Sequence, residues 1–216
     1  MRKESLPVTG TAAKAADRYA IDVLGIPSLT LMENASAFVA DYITREYPRA
    51  RVLIACGVGN NGADGLCAGR MLKERGYDPV AVCCGDLWKA TWEFLRQLSD
   101  CRRTGVEIVR MEDLSGSLPE ADVIVDAVFG IGLKREVAGP FRDLIGLIRE
   151  QRCPVVSVDV PSGINADTGE EMGIYVRADA TITFGRNKTG LLAGTGKEAA
   201  GKVIVCDIGI PKEAYT

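Results

Sequence analysis

The fold is decided by residues 51–65, which read RVLIACGVGNNGADG. A short apolar run, a glycine-rich loop and the start of an amphipathic stretch predict a strand, a tight turn and a helix. Gly57, Gly59 and Gly62 match G-x-G-x-x-G in that context, where glycine lets the backbone approach a phosphate at a helix N-terminus. The spacing alone is a weak signal, so the residues between the glycines carry the information.

The same loop holds two carboxamides and a carboxylate, Asn60, Asn61 and Asp64, where hydride-transferring dehydrogenases usually have small apolar residues. These side chains offer donors and acceptors directly to a ligand. In the alternative interpretation they only cap the helix and hold the turn.

Outward from this loop, short apolar runs alternate with helical patterns. The predicted strands are residues 51–56, 79–84, 106–109, 122–126, 154–159, 180–184 and 202–206, and the predicted helices between them are 65–75, 87–100 and 141–152. This alternation predicts an α/β fold, a three-layer α/β/α Rossmann-like sandwich with a mostly parallel sheet. Ligands of such sheets lie beyond the carboxyl ends of the strands.

Two helices are predicted before the first strand. One spans about 11–24, and the second starts at Thr30, where Glu33 three residues later suggests a capping box, and ends before Pro48. We expect these helices to pack against a second subunit in a homodimer.

The fourth strand is followed by a second candidate binding loop, DAVFGIGLKRE, residues 126–136. Asp126 ends the strand, and the loop residues follow it: Gly130, Ile131, Gly132, Leu133, Lys134, Arg135 and Glu136. Cations on a glycine loop suit phosphate binding. Alternatively, the two cations belong to a solvated charged turn.

The fifth strand ends in a third candidate, VDVPSG, residues 158–163. Pro161 and Gly163 are expected to hold the carboxylate of Asp159 rigidly, with the Ser162 hydroxyl beside it. The alternative is a plain turn in which Asp159 binds local amides. Together with Asn61, these groups form an all-oxygen set that suits Mg²⁺, Ca²⁺ or an alkali ion.

One lysine after the sixth strand, Lys188, is a further candidate to meet a phosphate or a substrate amide. The segment around Gly196 and Lys197 lacks P-loop spacing, which excludes ATP binding by that route.

Composition excludes several classes of function. The chain of 216 residues is expected to form a single domain, residues 1–216. It carries 26 Lys and Arg against 29 Asp and Glu, which does not suggest a nucleic-acid partner. It has no histidine, so Ser-His-Asp, Cys-His and imidazole-zinc chemistry are excluded.

Seven cysteines, an odd number without a CxxC pair, suggest reduced, buried thiols in a cytoplasmic protein. No apolar run approaches the ~20 residues that a membrane span needs. Residues 1–10 lack the apolar stretch of a signal peptide. We therefore expect a soluble protein with no membrane partner.

Five motifs in order resemble those of the NAD(P)H-hydrate epimerase family, the YjeF N-terminal domain. They are LMENA at 31–35, GVGNNGADG at 57–65, the 126–135 loop, VDVPSG at 158–163 and DIGIP at 207–211. The family loop reads G-x-G-N-N-G-G-D-G, so Ala63 replaces the usual glycine, and we expect its methyl group to restrict the approach of the ligand slightly.

The resemblance implies an isomerase that interconverts the R and S epimers of hydrated NADH and NADPH in cofactor repair. Residues 60–64, residues 130–136 and Asp159 would bind the hydrated dinucleotide, and Asn61, Asp126 and Ser162 would hold K⁺. Many family members carry a C-terminal dehydratase domain. We expect none in this chain, so a separate dehydratase is the expected pathway partner.

The chemistry agrees with the residues available. Loss of the C6 hydroxyl gives an iminium ion that water can attack on either face, and ring opening is the other route. Either route needs a carboxylic acid that gives and retakes a proton. We expect Asp159 to play this role, with Asp126 as the alternative, since a bound cation would lower the pKa of Asp126.

Two rival functions use the same fold. An NAD(P)-dependent oxidoreductase fits the glycine motif, but the chain has no histidine and no Tyr-x-x-x-Lys pair. A non-catalytic nucleotide- or protein-binding module, like the eukaryotic apolipoprotein-binding proteins that resemble this domain, would not need both Asp126 and Asp159.

Overall fold

A computed structural model describes residues 6–215. Residues 1–5 and 216 of the predicted domain lie outside the described residues, as does part of the 1–10 segment, which was predicted not to be a signal peptide. The described chain forms one seven-stranded sheet in which every pair of neighbouring strands is parallel. The strands are β1 (Val52–Cys56), β2 (Val80–Cys83), β3 (Glu107–Arg110), β4 (Val123–Ala127), β5 (Val155–Val158), β6 (Ala180–Phe184) and β7 (Lys202–Cys206). All seven predicted strands are confirmed.

The central strands are buried on both faces, as apolar runs without alternation predict. Cys83 belongs to the core on one face and Cys84 to the core on the other, as their adjacent positions require. All seven cysteines are free, and six of them are buried, which confirms the prediction of structural thiols.

Six α-helices in the described chain surround the sheet. They are α1 (Gly10–Arg18), which continues as a π-helical turn (Tyr19–Val23), α2 (Ser28–Glu46), α3 (Asn60–Glu74), α4 (Trp92–Thr104), α5 (Pro140–Arg149) and α6 (Gly194–Ala199). Helices α2, α3 and α4 pack side by side against one face, and α5 covers the other. The three-layer prediction is therefore confirmed.

Several predicted helix ends are wrong. The helix after β1 starts at Asn60, five residues before the predicted Gly65, because Gly59 is its N-cap. Residues Leu87–Lys89 form a separate 3-10 turn before α4. Helix α2 begins at Ser28, so Thr30 lies inside it and caps nothing.

The strand order is β3-β2-β1-β4-β5-β6-β7. The chain leaves the centre of the sheet in one direction after β1 and in the other after β4, so a crevice opens between the carboxyl ends of these two strands. None of the described helices is both long and apolar enough to cross a membrane.

Candidate functional site

Asp159 follows β5 directly, at the carboxyl edge of the sheet. Its backbone is left-handed, with φ at 66°, a conformation that non-glycine residues adopt rarely and at some cost in energy. Gly163 fixes the turn behind it, because a Cβ there would lie 1.9 Å from the carbonyl oxygen of Ile174. The sharp turn is present and the strain lies in the backbone of Asp159, while the Ser162 hydroxyl, expected beside Asp159, donates to Asp126 instead.

One oxygen of this carboxylate is anchored. Lys188 Nζ lies 2.6 Å from Asp159 Oδ1, and Thr183 Oγ1 donates to the same oxygen at 3.2 Å. Lys188 is only 2% exposed, and its ammonium also donates to Thr183 Oγ1 and to the carbonyl of Phe184. Lys188 is therefore engaged by a carboxylate inside the protein, and its contact with a ligand phosphate or amide stays a prediction.

The second oxygen, Asp159 Oδ2, faces the other two loops. A side chain on Gly130 would lie 2.9 Å from Asn61 Oδ1 and 3.4 Å from Asp159 Oδ2. Only glycine fits between these groups without displacing one of them. Three of the predicted loops therefore meet at Gly130, over the crevice.

Asp126 is fully buried at the end of β4. Ser162 donates its hydroxyl to Asp126 Oδ1 (2.5 Å) and its amide to Oδ2 (2.9 Å), and Ser157 Oγ donates to Oδ2 (2.7 Å). Burial raises the pKa of Asp126, and these hydrogen bonds oppose the rise. Both oxygens of Asp126 accept hydrogen bonds and the residue has no exposed surface, so this carboxylate links the loop after β4 to the loop after β5.

The N-terminus of α3 carries the third group of predicted residues. No side chain caps this helix, and among the described residues no hydrogen bond engages the side chains of Asn60, Asn61 or Asp64. Asn61 Nδ2 is buried without a partner. The capping interpretation therefore fails, and the first turn presents polar groups that a ligand can satisfy.

Asp64 is half-buried one turn into α3. Removal from water raises the pKa of its carboxyl group well above the ordinary value, and the nearby charges of Asp159 and Asp17 raise it further. The charge of Asp64 is therefore coupled to that of Asp159 on the neighbouring loop.

Two predicted binding residues point into the core. Ala63 is fully buried among the side chains beneath α2, α3 and α4, and Leu133 is buried on the α5 face. The methyl group of Ala63 therefore does not restrict the ligand's approach, contrary to expectation.

The remaining loop residues differ in their availability. Lys134 Nζ lies 2.9 Å from Asp167 Oδ2, so its charge is already paired. Arg135 and Glu136 are exposed, Ile131 is half-buried, and Gly132 borders open space. Of the two cations predicted to meet a phosphate, Arg135 is the one with no partner among the described residues.

Two residues of interest near the site were not predicted from the sequence. Thr183 binds both members of the Asp159–Lys188 pair. Asp17, on α1, is influenced by the charges of both residues. Burial and the charge of Asp159 raise the pKa of Asp17 to about 6, while Lys188 opposes the rise. In the sequence Asp17 lies within a stripe of alanines at helical spacing, Ala13, Ala16 and Ala20, which gives no sign of a functional role.

A cation was predicted at Asn61, Asp126 and Ser162. Among the described residues, no group of three or more acidic, histidine or cysteine side chains could by itself hold a metal ion. The available donors are oxygens, and the buried Asp126 carboxylate receives hydrogen bonds only from neutral groups. Oxygen donors of this kind suit a hard, weakly charged cation, which would have to share the Asp126 oxygens with the hydrogen bonds from Ser157 and Ser162 or displace them.

Comparison with known proteins agrees with the motifs. The family described as YjeF-related protein N-terminus matches residues 28–190. A protein named NAD(P)H-hydrate epimerase from Limosilactobacillus fermentum is 42% identical, with 93% of this chain and 95% of the relative covered. A protein of the same name from Levilactobacillus brevis is 41% identical, with 95% of each chain covered.

A solved structure, that of yeast YNL200c, superposes with a TM-score of 0.76 at 24% identity, covering 93% of this chain and 87% of the yeast chain. That likeness concerns the fold alone. The family match, which spans most of the chain, and the identity to relatives over nearly its full length settle the ancestry. The chain belongs to the YjeF-related protein N-terminal family.

Proposed function

We propose that the protein is an NAD(P)H-hydrate epimerase, an isomerase that interconverts the R and S epimers of hydrated NADH and NADPH. The relatives that carry this name match nearly the whole chain. The structural observation that carries the proposal is the Asp159 carboxylate, which has one oxygen anchored by Lys188 and the other directed at the crevice.

We place the dinucleotide along the carboxyl edge of the sheet. The uncapped N-terminus of α3 suits the pyrophosphate, because free amides and the helix dipole attract anions. The hydrated nicotinamide then lies over β4, β5 and β6, beside Asp159. The residues that we propose to contact the substrate are Asn60, Asn61, Gly62, Ala63, Asp64, Gly130, Ile131, Gly132, Leu133, Lys134, Arg135, Glu136 and Asp159.

Epimerisation at C6 requires breaking and remaking one bond at that carbon. Loss of the hydroxyl leaves an iminium ion stabilised by the ring nitrogen, and water returns to either face. Ring opening and closure reaches the same product. Both routes need proton transfer to and from oxygen, which a positioned carboxyl group accelerates by ~10²–10⁴-fold.

We assign this proton transfer to Asp159 rather than Asp126. Asp159 Oδ2 faces the meeting point of the loops, whereas both oxygens of Asp126 are hydrogen-bonded and fully buried. Asp126 would have to break several hydrogen bonds to meet a substrate.

We further propose that Asn61, Asp126 and Ser162 hold a K⁺ ion. A bound cation would neutralise the buried carboxylate and hold the α3 turn against the β4 and β5 loops. The test compares activity in potassium with activity in a bulky organic-cation buffer, using Asp126→Ala as the variant that removes the site. We expect a potassium requirement in the unmodified protein and none in the variant. Equal activity in both buffers would leave the cation without a role.

The proposed function implies a pathway partner and a cellular compartment. The S epimer would pass to a separate dehydratase. The free cysteines suit the reducing cytoplasm.

Exposed apolar side chains on the N-terminal helices, among them Tyr19, Val23 and Phe38, support a homodimer. Light scattering would detect the dimer, and its loss in Val23→Glu would place the interface.

The direct test uses a purified epimer. The S form is incubated with the protein, and the appearance of the R form is followed by chromatography above the spontaneous rate. We expect a rate proportional to protein concentration, and no change in 340 nm absorbance when NADPH and a carbonyl compound are supplied instead. An oxidoreductase would give the opposite pair of results.

A further inference from the structure

Both tryptophans of the chain, Trp88 and Trp92, are exposed near the start of α4. Trp88 lies on the 3-10 turn before the helix and is 97% exposed, and Trp92 is the first residue of the helix and is 59% exposed. Leu95, one turn further along α4, is 45% exposed. Tryptophan is on average well buried and is enriched at the centres of interfaces, so this cluster indicates a surface that another molecule covers.

A groove of about 390 Å³ lies beside the exposed rings. Leu98 is buried in it and Leu87 is half-buried, whereas Leu95 and the polar residues around them are exposed. The groove follows α4 for about two turns, beginning one turn after Trp92. We call the two tryptophans and the groove the α4 patch, and the groove is lined by Leu87, Leu95, Leu98, Ser99, Arg102 and Arg103.

The turn that carries Trp88 is anchored at both ends. Asp86 caps it by accepting a hydrogen bond from Trp88 N at 3.0 Å. Thr91 N donates to Val58 O at 3.0 Å, and Thr91 Oγ1 accepts from Phe94 N at the start of α4. The exposed rings are therefore presented by a preformed surface, which lowers the ordering entropy that a contact would cost.

The two ends of the α4 patch differ in charge. At the C-terminal end, three arginines share a single acid, Asp100, which binds two of them and leaves Arg102 without an ion-pair partner among the described residues. At the N-terminal end, Glu93 has no ion-pair partner in the described chain, and the charges of Asp86 and Lys89 offset each other. One end is therefore net positive and the other net negative.

We propose that the α4 patch binds the same patch of a second copy of this chain, with the two α4 helices antiparallel about a twofold axis. In such an isologous contact, a protrusion and a recess on one surface complement each other. An axis near Leu95 sets Trp92 of one copy against Ser99, in the groove of the other. It also brings the Arg102 end of each helix to the Glu93 end of the other, and an arginine beside a tryptophan ring adds a cation–π contact.

The α4 patch has the size that such a contact requires. The exposed parts of the two tryptophans offer roughly 230–390 Å² per copy. A specific interface buries about 800 Å² per partner, so the rings supply a large share and the walls of the groove extend it. Helix α3 lies between α2 and α4, so this contact is separate from the one that we propose for the N-terminal helices. It uses no residue that we place at the substrate.

Tryptophan fluorescence tests this contact directly, because both tryptophans lie in the α4 patch and buried rings emit at shorter wavelength than exposed rings. Emission and light-scattering mass are recorded over a series of protein concentrations. We expect the emission to shift to shorter wavelength as the concentration rises, with the mass doubling in step.

Three exposed residues supply the variants, and circular dichroism verifies the fold of each. Trp92→Glu and Arg102→Glu should each weaken the association by at least ~30-fold, as the loss of an interface hot spot does. Leu192→Glu is the matched control, because Leu192 is half-exposed and lies outside the α4 patch. It should leave both the shift and the mass unchanged.

The possible outcomes are distinct. A contact that does not dissociate over this range gives short-wavelength emission throughout and half the mass in Trp92→Glu, which also supports the proposal. Long-wavelength emission at every concentration refutes it. Mass doubling that survives in Trp92→Glu and Arg102→Glu, or an equal loss in Leu192→Glu, places the contact elsewhere and refutes it. A shift that requires addition of an S-specific dehydratase also refutes it, since the patch then binds another protein.

Discussion

Asp159 illustrates what a sequence reveals about one residue and what it does not. Its position after an apolar run, followed by Pro161 and Gly163, was enough to predict a rigid strand-end carboxylate. Nothing in the sequence marks Lys188 as its partner, because a buried lysine has the same letter as an exposed one, and their contact depends on β5 and β6 being neighbours.

We predict that Asp159→Asn lowers kcat and kcat/KM together by at least ~10²-fold while binding of the hydrated cofactor is largely retained. The amide keeps the shape of the carboxylate but does not exchange the proton. Asp126→Asn serves as the comparison, measured above the spontaneous rate. If Asp126→Asn loses kcat and Asp159→Asn keeps it, the roles of the two carboxylates are reversed.

We predict that Lys188→Gln is strongly destabilising, because it leaves the carboxylate of Asp159 buried without its cation. Breaking a buried ion pair from one side costs about 3–5 kcal/mol. Urea denaturation measures the loss, with the exposed Lys197→Gln as the control. Equal free energies of unfolding for the two variants would show that the pair does not stabilise the fold.

We predict that Asp17 makes stability depend on pH. Its pKa is about 6 in the folded protein against an ordinary 3.8, so the folded state binds more protons between these values and stability falls as the pH rises through them. Asp17→Asn should therefore raise Tm relative to the unmodified protein at pH 8 and change it little at pH 4. An equal shift in Tm at both pH values contradicts the prediction.

At the scale of elements, hydrophobic patterning located all seven strands, because each is a short apolar run bounded by polar residues. Helix ends were less predictable. Helix α3 starts within the polar stretch that looked like a loop. Its packing against the sheet depends on a small residue, because a Cβ at Gly65 would lie 2.5 Å from the Cβ of Ala127. The capping box at Thr30 failed because Pro27 precedes the helix and sets its start.

Two glycines of the β1–α3 turn offer a matched pair of variants. A Cβ on Gly62 would lie 1.8 Å from the carbonyl oxygen of Gly57, whereas a Cβ on Gly59 meets nothing within 4 Å. We predict that Gly62→Ala destabilises the protein by at least ~1–3 kcal/mol, the range for overpacking. Gly59→Ala should leave stability within ~0.5 kcal/mol but raise KM, because the open space at Gly59 is where we place the pyrophosphate. Urea denaturation and steady-state kinetics separate the two effects, and equal destabilisation by both variants would contradict this assignment.

For the whole molecule, strand and helix alternation predicted the layers and the edge of the sheet at which the site lies. It did not predict the strand order, which places the crevice between β1 and β4, or the contacts that the start of α1 and the chain before it make with the loops after β5 and β6. Both depend on contacts between residues far apart in the chain, such as Gly10 with Asp167. For this reason Asp126, Asp159 and the α3 turn were identified from the sequence, but Asp17 and Thr183 were not. The single-domain extent, 1–216, stays a prediction.

One measurement tests the central claim most directly. An R and S mixture of hydrated NADH is treated with an S-specific dehydratase, with and without this protein. Without it, the S fraction should be consumed quickly and the R fraction only at the spontaneous rate. With it, we expect the whole mixture to be consumed, with the R fraction converted at a rate proportional to the amount of protein added. An R fraction that persists unchanged when the protein is present would contradict the assignment of the chain as an epimerase.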